Sequence, residues 1–528
     1  MTEKVKNWLS KPSALNRAAI LLMITMTLSN VLGLVRNVIL SKNISLDRLD
    51  AYYTAFNIPD LVFNLMVLGA ISTALIPVFS QLLKDKDEEK AWRVVNNFLN
   101  TTVLFLLIFL VIAFIFMDPL ITILAPGFGE EKHILTVSMA RIMLLSPLLF
   151  AISYIIGGVL NTYKNFVAYA IAPLVYNLSI IIGALLAPKL HGVETVAISV
   201  VIGALAHLLV QLPAALSIGW RHKMIIDFKD EYLRKIYRLM IPRSIGLGIT
   251  QINFIAFTII GSTMDKGAIA IYKLTNDLQT TPTVIFGSSI AIAAFPFMTE
   301  KASQNDRAGV ADIAHKATRI ILFLLLPCAA FALILSNKII PLYLALGHNM
   351  VNWADTMRAI DTFSLLVISI ISQGLIGVYA RVYYAFSDTR RPMYYSFVSA
   401  VVSVIFALIF KYLNWDVKGL ALAFTIGSWL NFALLYINSK KYFKVKESTA
   451  VANSFFKILF STLISGSMAY VVLRFSEIFI TSTKVFGLVG QALITLLIGV
   501  IIYWYILYLL DAKELQWIKN RKQTFTEK

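Results

Sequence analysis

The sequence predicts an all-α polytopic membrane protein with fourteen transmembrane helices: two parallel six-helix repeats followed by one further pair. Three observations lead there: composition, the recurrence of apolar runs, and the sidedness of the basic residues. Of 528 residues, 58% are hydrophobic and 14% charged, with a mean hydropathy of +0.75. Soluble domains are roughly 45–50% apolar and about 25% charged. Length alone would suggest three or four soluble domains of roughly 150 residues. Apolar runs recur from Ala18 to Leu510, however, with no long polar block between them.

A helix that crosses a bilayer needs about 20 mainly apolar residues. Fourteen stretches qualify: 14–40, 50–78, 94–117, 134–161, 167–187, 193–219, 236–262, 268–298, 311–336, 358–386, 393–411, 416–438, 452–473 and 485–510. The first follows Lys4, Lys6 and Lys11 in the manner of a signal peptide, but no small-residue cleavage site follows and the stretch runs on to Arg36. It is therefore read as a helix. An even number puts both termini on one side. The termini and every second connection carry 30 of the 47 Lys and Arg, against 11 on the opposite connections. Arg36, Arg141, Arg243, Lys273, Arg381 and Lys457 lie in or at the ends of helices. Positive loops favour the cytoplasm, so both termini are expected there. The net charge of +18 then reports topology, and no nucleic-acid partner is expected.

The largest basic connection (Arg221, Lys223, Lys229, Arg234, Lys235, Arg238) divides the first twelve helices into two sixes. A shift of 219 lays GAISTALIPVF (69–79) over SSIAIAAFPFM (288–298), with Tyr53 on Tyr272 and Pro77 on Pro296. A shift of 224 lays VETVAISVVIG (193–203) over VKGLALAFTIG (417–427), with Gly203 on Gly427. Both shifts pair helices of like direction, a transporter plan in which substrate binds between lobes. The expected division is an N-lobe at 1–220, a basic cytoplasmic linker at 221–235, a C-lobe at 236–440, the extra helices at 441–510, and a tail at 511–528. With Leu515, Trp517 and Ile518 among basic residues, that tail reads as an amphipathic interfacial anchor.

The motif survey points away from catalysis and cofactors. Cys328 is the only cysteine, so there is no intrachain disulfide, and the six histidines lack metal-ligand spacing. Neither a metal nor a cofactor is expected. G-x-x-x-x-G-K-[ST] is missing, and Gly246-Leu247-Gly248 is only a fragment of a dinucleotide motif. No catalytic residue is assigned. A transporter is expected, not an enzyme.

Charges inside a membrane are costly and mark function. Lys84 to Lys90 and the Arg390–Arg391 pair read as solvated loops, and Arg141 and Arg243 as side chains snorkelling to the interface. Arg36, Asp50, Asp60, Lys273 and Asp277 remain, in helices one, two and eight. Helices two and eight are repeat mates, each holding two prolines: Pro59 and Pro77, Pro282 and Pro296. Proline removes a backbone hydrogen bond and kinks a helix, which suits the wall of a cavity. Gly33, Gly69 and Ser72 permit bending or close approach. Lys273 and Asp277 share a helical face and either neutralise each other or leave charge for a ligand. The guanidinium of Arg36 suits bidentate binding of phosphate.

Several segments in register resemble the bacterial lipid II flippase family (MurJ, also called MviN) of the multidrug/oligosaccharidyl-lipid/polysaccharide exporter superfamily. They are SNVLGLVRNVIL (29–40), DAYYTAFNIPDL (50–61), LGAISTALIPVFS (68–80), LAPGF (124–128), GGVLNTYKNFVAYAIAP (157–173), LLVQLPA (208–214), ITQIN (249–253) and YYAFSDTRRP (383–392). The resemblance spans about 14–440 and implies a flippase of the cytoplasmic membrane working by alternating access. Its cargo would be lipid-linked peptidoglycan precursor, moved from the inner to the outer face. It matches Arg36 to the family's helix-one arginine and Asp50 to its acidic residue opening helix two. The chain departs from the family at Asn37, where an acid is usual, at Phe63 and Asn64 in place of a basic pair, at Leu68 in place of an acid, and at Asp277 in place of an arginine.

The expected headgroup contacts are accordingly Arg36, Asn64 and Lys273, the last restoring a positive charge one turn from Asp277. Asp50, Asp60 and Asp277 are the acidic candidates for coupling. Ser403 and Ala407 stand where some relatives bind sodium, and no sodium site is expected. Lipid II or a related undecaprenyl-linked glycan, membrane lipids and the cell-wall synthesis machinery are the expected partners of a monomer. Three alternatives stay open: another undecaprenyl-linked cargo, a multidrug antiporter of the same fold, and a non-transporting cell-wall scaffold.

Overall fold

In hydrocarbon a backbone has no solvent partner, so a spanning segment must bond within itself, as a helix does. The computed structural model describes residues 14–65, 75–190, 192–345, 352–443, 449–479 and 485–515. Among the described residues every regular element is helical, and twelve helices are long and apolar enough to span a membrane. The other two expected spans run through residues outside the description, 66–74 in one and the side chains of 241–250 in the other. Gly69, Ser72, Leu68, Arg243 and the tail's Trp517 and Ile518 lie outside it too. Large apolar side chains cover the helix surfaces, as Phe105, Ile108, Ile112 and Ile115 do on one helix. Water would not tolerate patches of that extent; lipid does.

By internal contacts the chain forms two compact units, Met1–Ala270 and Ile271–Lys528. This division falls beyond the basic connection at which the repeat divides. The first unit contains α1 (Ala14–Asn43), α2 (Leu46–Phe63), α3 (Ile76–Lys84), α4 (Glu88–Ile115), α5 (Met117–Leu124), α6 (Glu130–Met143), α7 (Leu145–Thr162), α8 (Phe166–Leu186), α9 (Val193–Ser217) and α10 (Glu231–Ser262). The expected linker is a docked strap. Buried Asn96, Asn97 and Asn100 of α4 donate to the carbonyls of Arg221, Asp227, and Lys223 with Ile225, at 2.8–3.1 Å. Asp227 N–H returns a bond to Asn97 Oδ1 at 2.8 Å. The strap ends where Asp230 accepts from Leu233 N–H at 2.9 Å, capping α10, so residues 231–235 are already helical.

The second unit carries most of α11 (Ala268–Pro282), a π-helical segment (Thr283–Ser288), α12 (Ser289–Ser303), α13 (Arg307–Ile334), α14 (Ser336–Ala345), α15 (Trp353–Val367), α16 (Ser369–Ala385), α17 (Arg390–Tyr412), α18 (Asp416–Ser439), α19 (Thr449–Phe479) and α20 (Val485–Leu509). Ion pairs tie the extra helices to it. Lys338 Nζ meets Glu477 Oε1 at 2.8 Å. Arg319 Nη2 meets Glu514 Oε1, just past α20, at 2.7 Å. Lys457 Nζ donates to the Leu510 carbonyl at 2.6 Å, closing the end of α20. Arg319 and Glu514 are 8% and 3% exposed. Removing one partner strands a buried charge at about 3–5 kcal/mol. Glu514→Gln is expected to lower Tm in detergent by roughly 5–10 °C; an unchanged Tm would remove the pair from the account of stability.

The repeat seen in the sequence recurs in the backbone. The helix ending at Phe63 turns π-helical at Asn64, and a shift of 219 carries Asn64 onto Thr283, where the π segment of the second unit begins. A break at Leu144 between α6 and α7 matches one at Ile368 between α15 and α16, a shift of 224. Left-handed turn residues follow the same spacing, Lys86 with Asn305 and Gly192 with Asp416. So does one close helix crossing. A Cβ on Gly203 would lie 3.2 Å from Ser179 Cβ, and one on Gly427 2.9 Å from Ser403 Cβ, so each glycine lets its helix approach the preceding one.

Candidate substrate-binding site

Arg36 lies in the C-terminal half of α1, held by amides. Its Nε and Nη2 donate to Asn37 Oδ1 at 3.2 and 3.1 Å, and its Nη1 to Asn177 Oδ1 of α8 at 3.1 Å. Asn177 is fixed in turn, donating to Ser29 Oγ at 3.3 Å and to the Pro173 carbonyl at 3.1 Å. An aspartate at position 37 would offset the arginine's charge; amide oxygens orient the fork without doing so. Asn177 is a partner of Arg36 that sequence reasoning missed, because a single amide in an apolar helix carries no signal of its own.

Beside this group lies a cavity of about 200 Å³ lined by Phe56, Pro59, Asp60, Phe63, Phe150, Tyr154, Tyr176 and His207, among others. Phe63 packs against Phe150 and Tyr154 with ring centroids 5.5 and 5.1 Å apart. His207 stacks on Tyr154 at 5.4 Å. Its Nδ1 lies 2.7 Å from Ser153 Oγ, to which Gln211 donates at 2.8 Å, so the imidazole is locked in place. Asp60 lines this cavity and is exposed. Asn64, one turn on, donates to the Asp60 carbonyl at 2.8 Å.

Asp50 is placed elsewhere, in an enclosed electrostatic knot. It is 2% exposed and accepts from the N–H groups of Gly267 and Ala270, both at 2.7 Å, at the first turn of α11. Lys132 Nζ bridges Asp50 and Asp47 at 2.8 and 2.7 Å. A carboxylate at a helix N-terminus is favoured by the exposed N–H groups and the helix dipole. Gly267 is required at this point: its φ is +84°, and a Cβ there would lie 2.9 Å from Leu46 Cβ. Lys132, counted as a loop cation from sequence, is Asp50's partner.

In the second unit Lys273 Nζ lies 3.4 Å from Asp277 Oδ1, with the two side chains 40% and 25% exposed. They do pair, as their spacing allows, and both side chains are part-exposed. Pro59 sits inside α2 and Pro296 inside α12. Pro282 closes α11 directly before the π segment, where a wider turn accommodates the lost hydrogen bond. Pro77 falls in the first turn of α3. Ser403 donates to the Ala423 carbonyl at 2.8 Å, so its hydroxyl serves helix packing. Among the described residues no cluster of three or more His, Cys, Asp or Glu stands ready for a metal.

Apolar helices in a twofold parallel repeat, with polar groups gathered inside one unit, define a polytopic membrane transporter. The chain belongs to the family described as Lipid II flippase MurJ, whose profile matches residues 47–508. A probable lipid II flippase MurJ of Rickettsia prowazekii is 28% identical over 512 residues, 94% of this chain and 97% of the relative. One from Buchnera aphidicola subsp. Acyrthosiphon pisum is 27% identical over 462 residues, 85% and 89% of the two chains. The fold matches that of a lipid II flippase MurJ in an inward closed conformation, with TM-score 0.77 and 22% identity over 93% of this chain and 98% of the other. An inward-facing MATE family transporter of the MOP superfamily matches with TM-score 0.67 and 15% identity, over 80% and 97%.

Proposed function

We propose that this chain is a lipid II flippase, carrying the undecaprenyl-diphosphate-linked headgroup from the cytoplasmic to the outer face of the plasma membrane. The observation that carries this reading is the amide-held guanidinium of Arg36 beside a recessed cavity, in a chain of the lipid II flippase family. A polyprenyl tail can stay in lipid, but a diphosphate-sugar head cannot cross hydrocarbon unaided. A fork of N–H donors fixed by two neutral amides offers the diphosphate paired, charge-assisted bonds.

Alternating access by the expected lobes, 1–220 and 236–440, with both termini in the cytoplasm, would expose the head first inward and then outward; Asn64 in the first unit and Lys273 in the second are the further headgroup candidates. Membrane potential is an adequate drive, since 100 mV is worth about 2.3 kcal/mol per elementary charge. The test is rescue of a bacterium depleted of its own flippase, with accumulation of inward-facing lipid II as readout. Wild type restores growth and clears the lipid. A correctly inserted chain that leaves lipid II on the inner face overturns the reading.

A further inference from the structure

Phe63 occupies one of the two positions where the resembled family carries a basic pair, and the structure uses it as the floor of an aromatic chamber with Phe150 and Tyr154. Phe150 packs edge-on against Tyr176 and His207 at 5.1 and 5.4 Å, and the His207 ring is held by Ser153 and Gln211. The walls are therefore fixed before any ligand arrives. At about 200 Å³ the chamber is smaller than the roughly 300–1,000 Å³ of drug-sized sites, and it has the size of a single six-membered sugar ring.

Aromatic faces carry partial negative charge and attract the polarised C–H groups on the flat face of a pyranose, while Asp60 at the rim accepts from hydroxyls. A cation would also suit rings and a carboxylate. The Arg36 guanidinium is bound to Asn177, next along α8 from Tyr176, which sets a phosphate-binding group beside the chamber. In a lipid-linked glycan the first sugar is attached directly to the diphosphate, so a diphosphate held on Arg36 brings that sugar's ring, and no cation, to the chamber.

We infer that this chamber is a sugar subsite, in which the pyranose adjoining the diphosphate stacks against Phe63, Phe150 and Tyr154 while Arg36 holds the phosphates. The inference rests on the flippase reading and adds to it where in the first unit the sugar goes. It is tested with the full-length chain in detergent micelles, measuring the affinity of two probes, undecaprenyl diphosphate and lipid II, for wild type, Phe63→Leu and Phe63→Tyr. Wild type binds lipid II more tightly than undecaprenyl diphosphate, by about tenfold from ring stacking. Phe63→Leu, which keeps apolar bulk without a π face, binds the two lipids alike, and Phe63→Tyr retains the difference. Equal affinity of wild type for both lipids, or a preference that survives in Phe63→Leu, overturns the sugar subsite while leaving the flippase reading standing. Failure of wild type to bind either lipid overturns both. Tight binding of tetraphenylphosphonium that is lost in Phe63→Leu, with the lipid preference intact, assigns the chamber to organic cations instead and also overturns it.

Discussion

Arg36→Ala is expected to abolish rescue of flippase-depleted cells, with lipid II held on the inner face at the level of the empty-vector control. The side chain donates to Asn37 and Asn177 through three nitrogens, and alanine deletes the whole donor fork while leaving both amides able to turn to other partners. Hydrogen bonds to charged groups are worth about 1.5–3 kcal/mol each, so losing two to a diphosphate weakens binding by roughly two to four orders of magnitude. Arg36→Lys keeps the charge but not the planar fork, and is expected to restore growth only partly. The protein level in the membrane fraction is the control. Normal growth and normal lipid II distribution in Arg36→Ala would take the guanidinium out of the mechanism.

The second large effect is expected at Asp50, and it is structural first. Asp50→Ala removes the acceptor of two backbone N–H groups at the start of α11 and one of the two carboxylates on Lys132. Breaking a buried pair from one side costs about 3–5 kcal/mol, enough to lower Tm in detergent by roughly 10 °C. Asp50→Asn keeps one acceptor oxygen and loses the charge, so its Tm is expected to lie between those of the alanine variant and wild type. If Asp50→Ala melts with wild type while losing rescue, Asp50 acts in the transport cycle and not as a cap. Asp47, also on Lys132 but at the open end of the cluster, is expected to tolerate alanine with a much smaller shift.

Much of the fold was legible because a bilayer imposes few solutions. Long apolar runs become helices. The parallel repeat was visible in two short alignments, and the structure extends it to breaks and turns that no residue identity marks: Leu144 with Ile368, Lys86 with Asn305. Finer features were not legible. The strap on Asn96, Asn97 and Asn100 has the composition of an ordinary basic linker, since its bonds run from side chains to backbone carbonyls far along the chain. Asp50 and Arg36 read alike as embedded charges in neighbouring helices; whether they meet depends on which way each faces, which spacing alone does not fix.

That the chain lies in a membrane as helices, that its first twelve helices are duplicated in parallel, and that only a few charges are embedded all follow from the amino acids alone. Those are properties of composition and period, read one segment at a time. How the charges of the first unit are shared out is set by tertiary packing: Arg36 onto amides beside an aromatic chamber, and Asp50 into a cap with Lys132. The reason is distance. A charge in low dielectric is defined by the groups within a few ångströms of it, and around Arg36 and Asp50 those groups include partners 82 to 220 residues away along the chain.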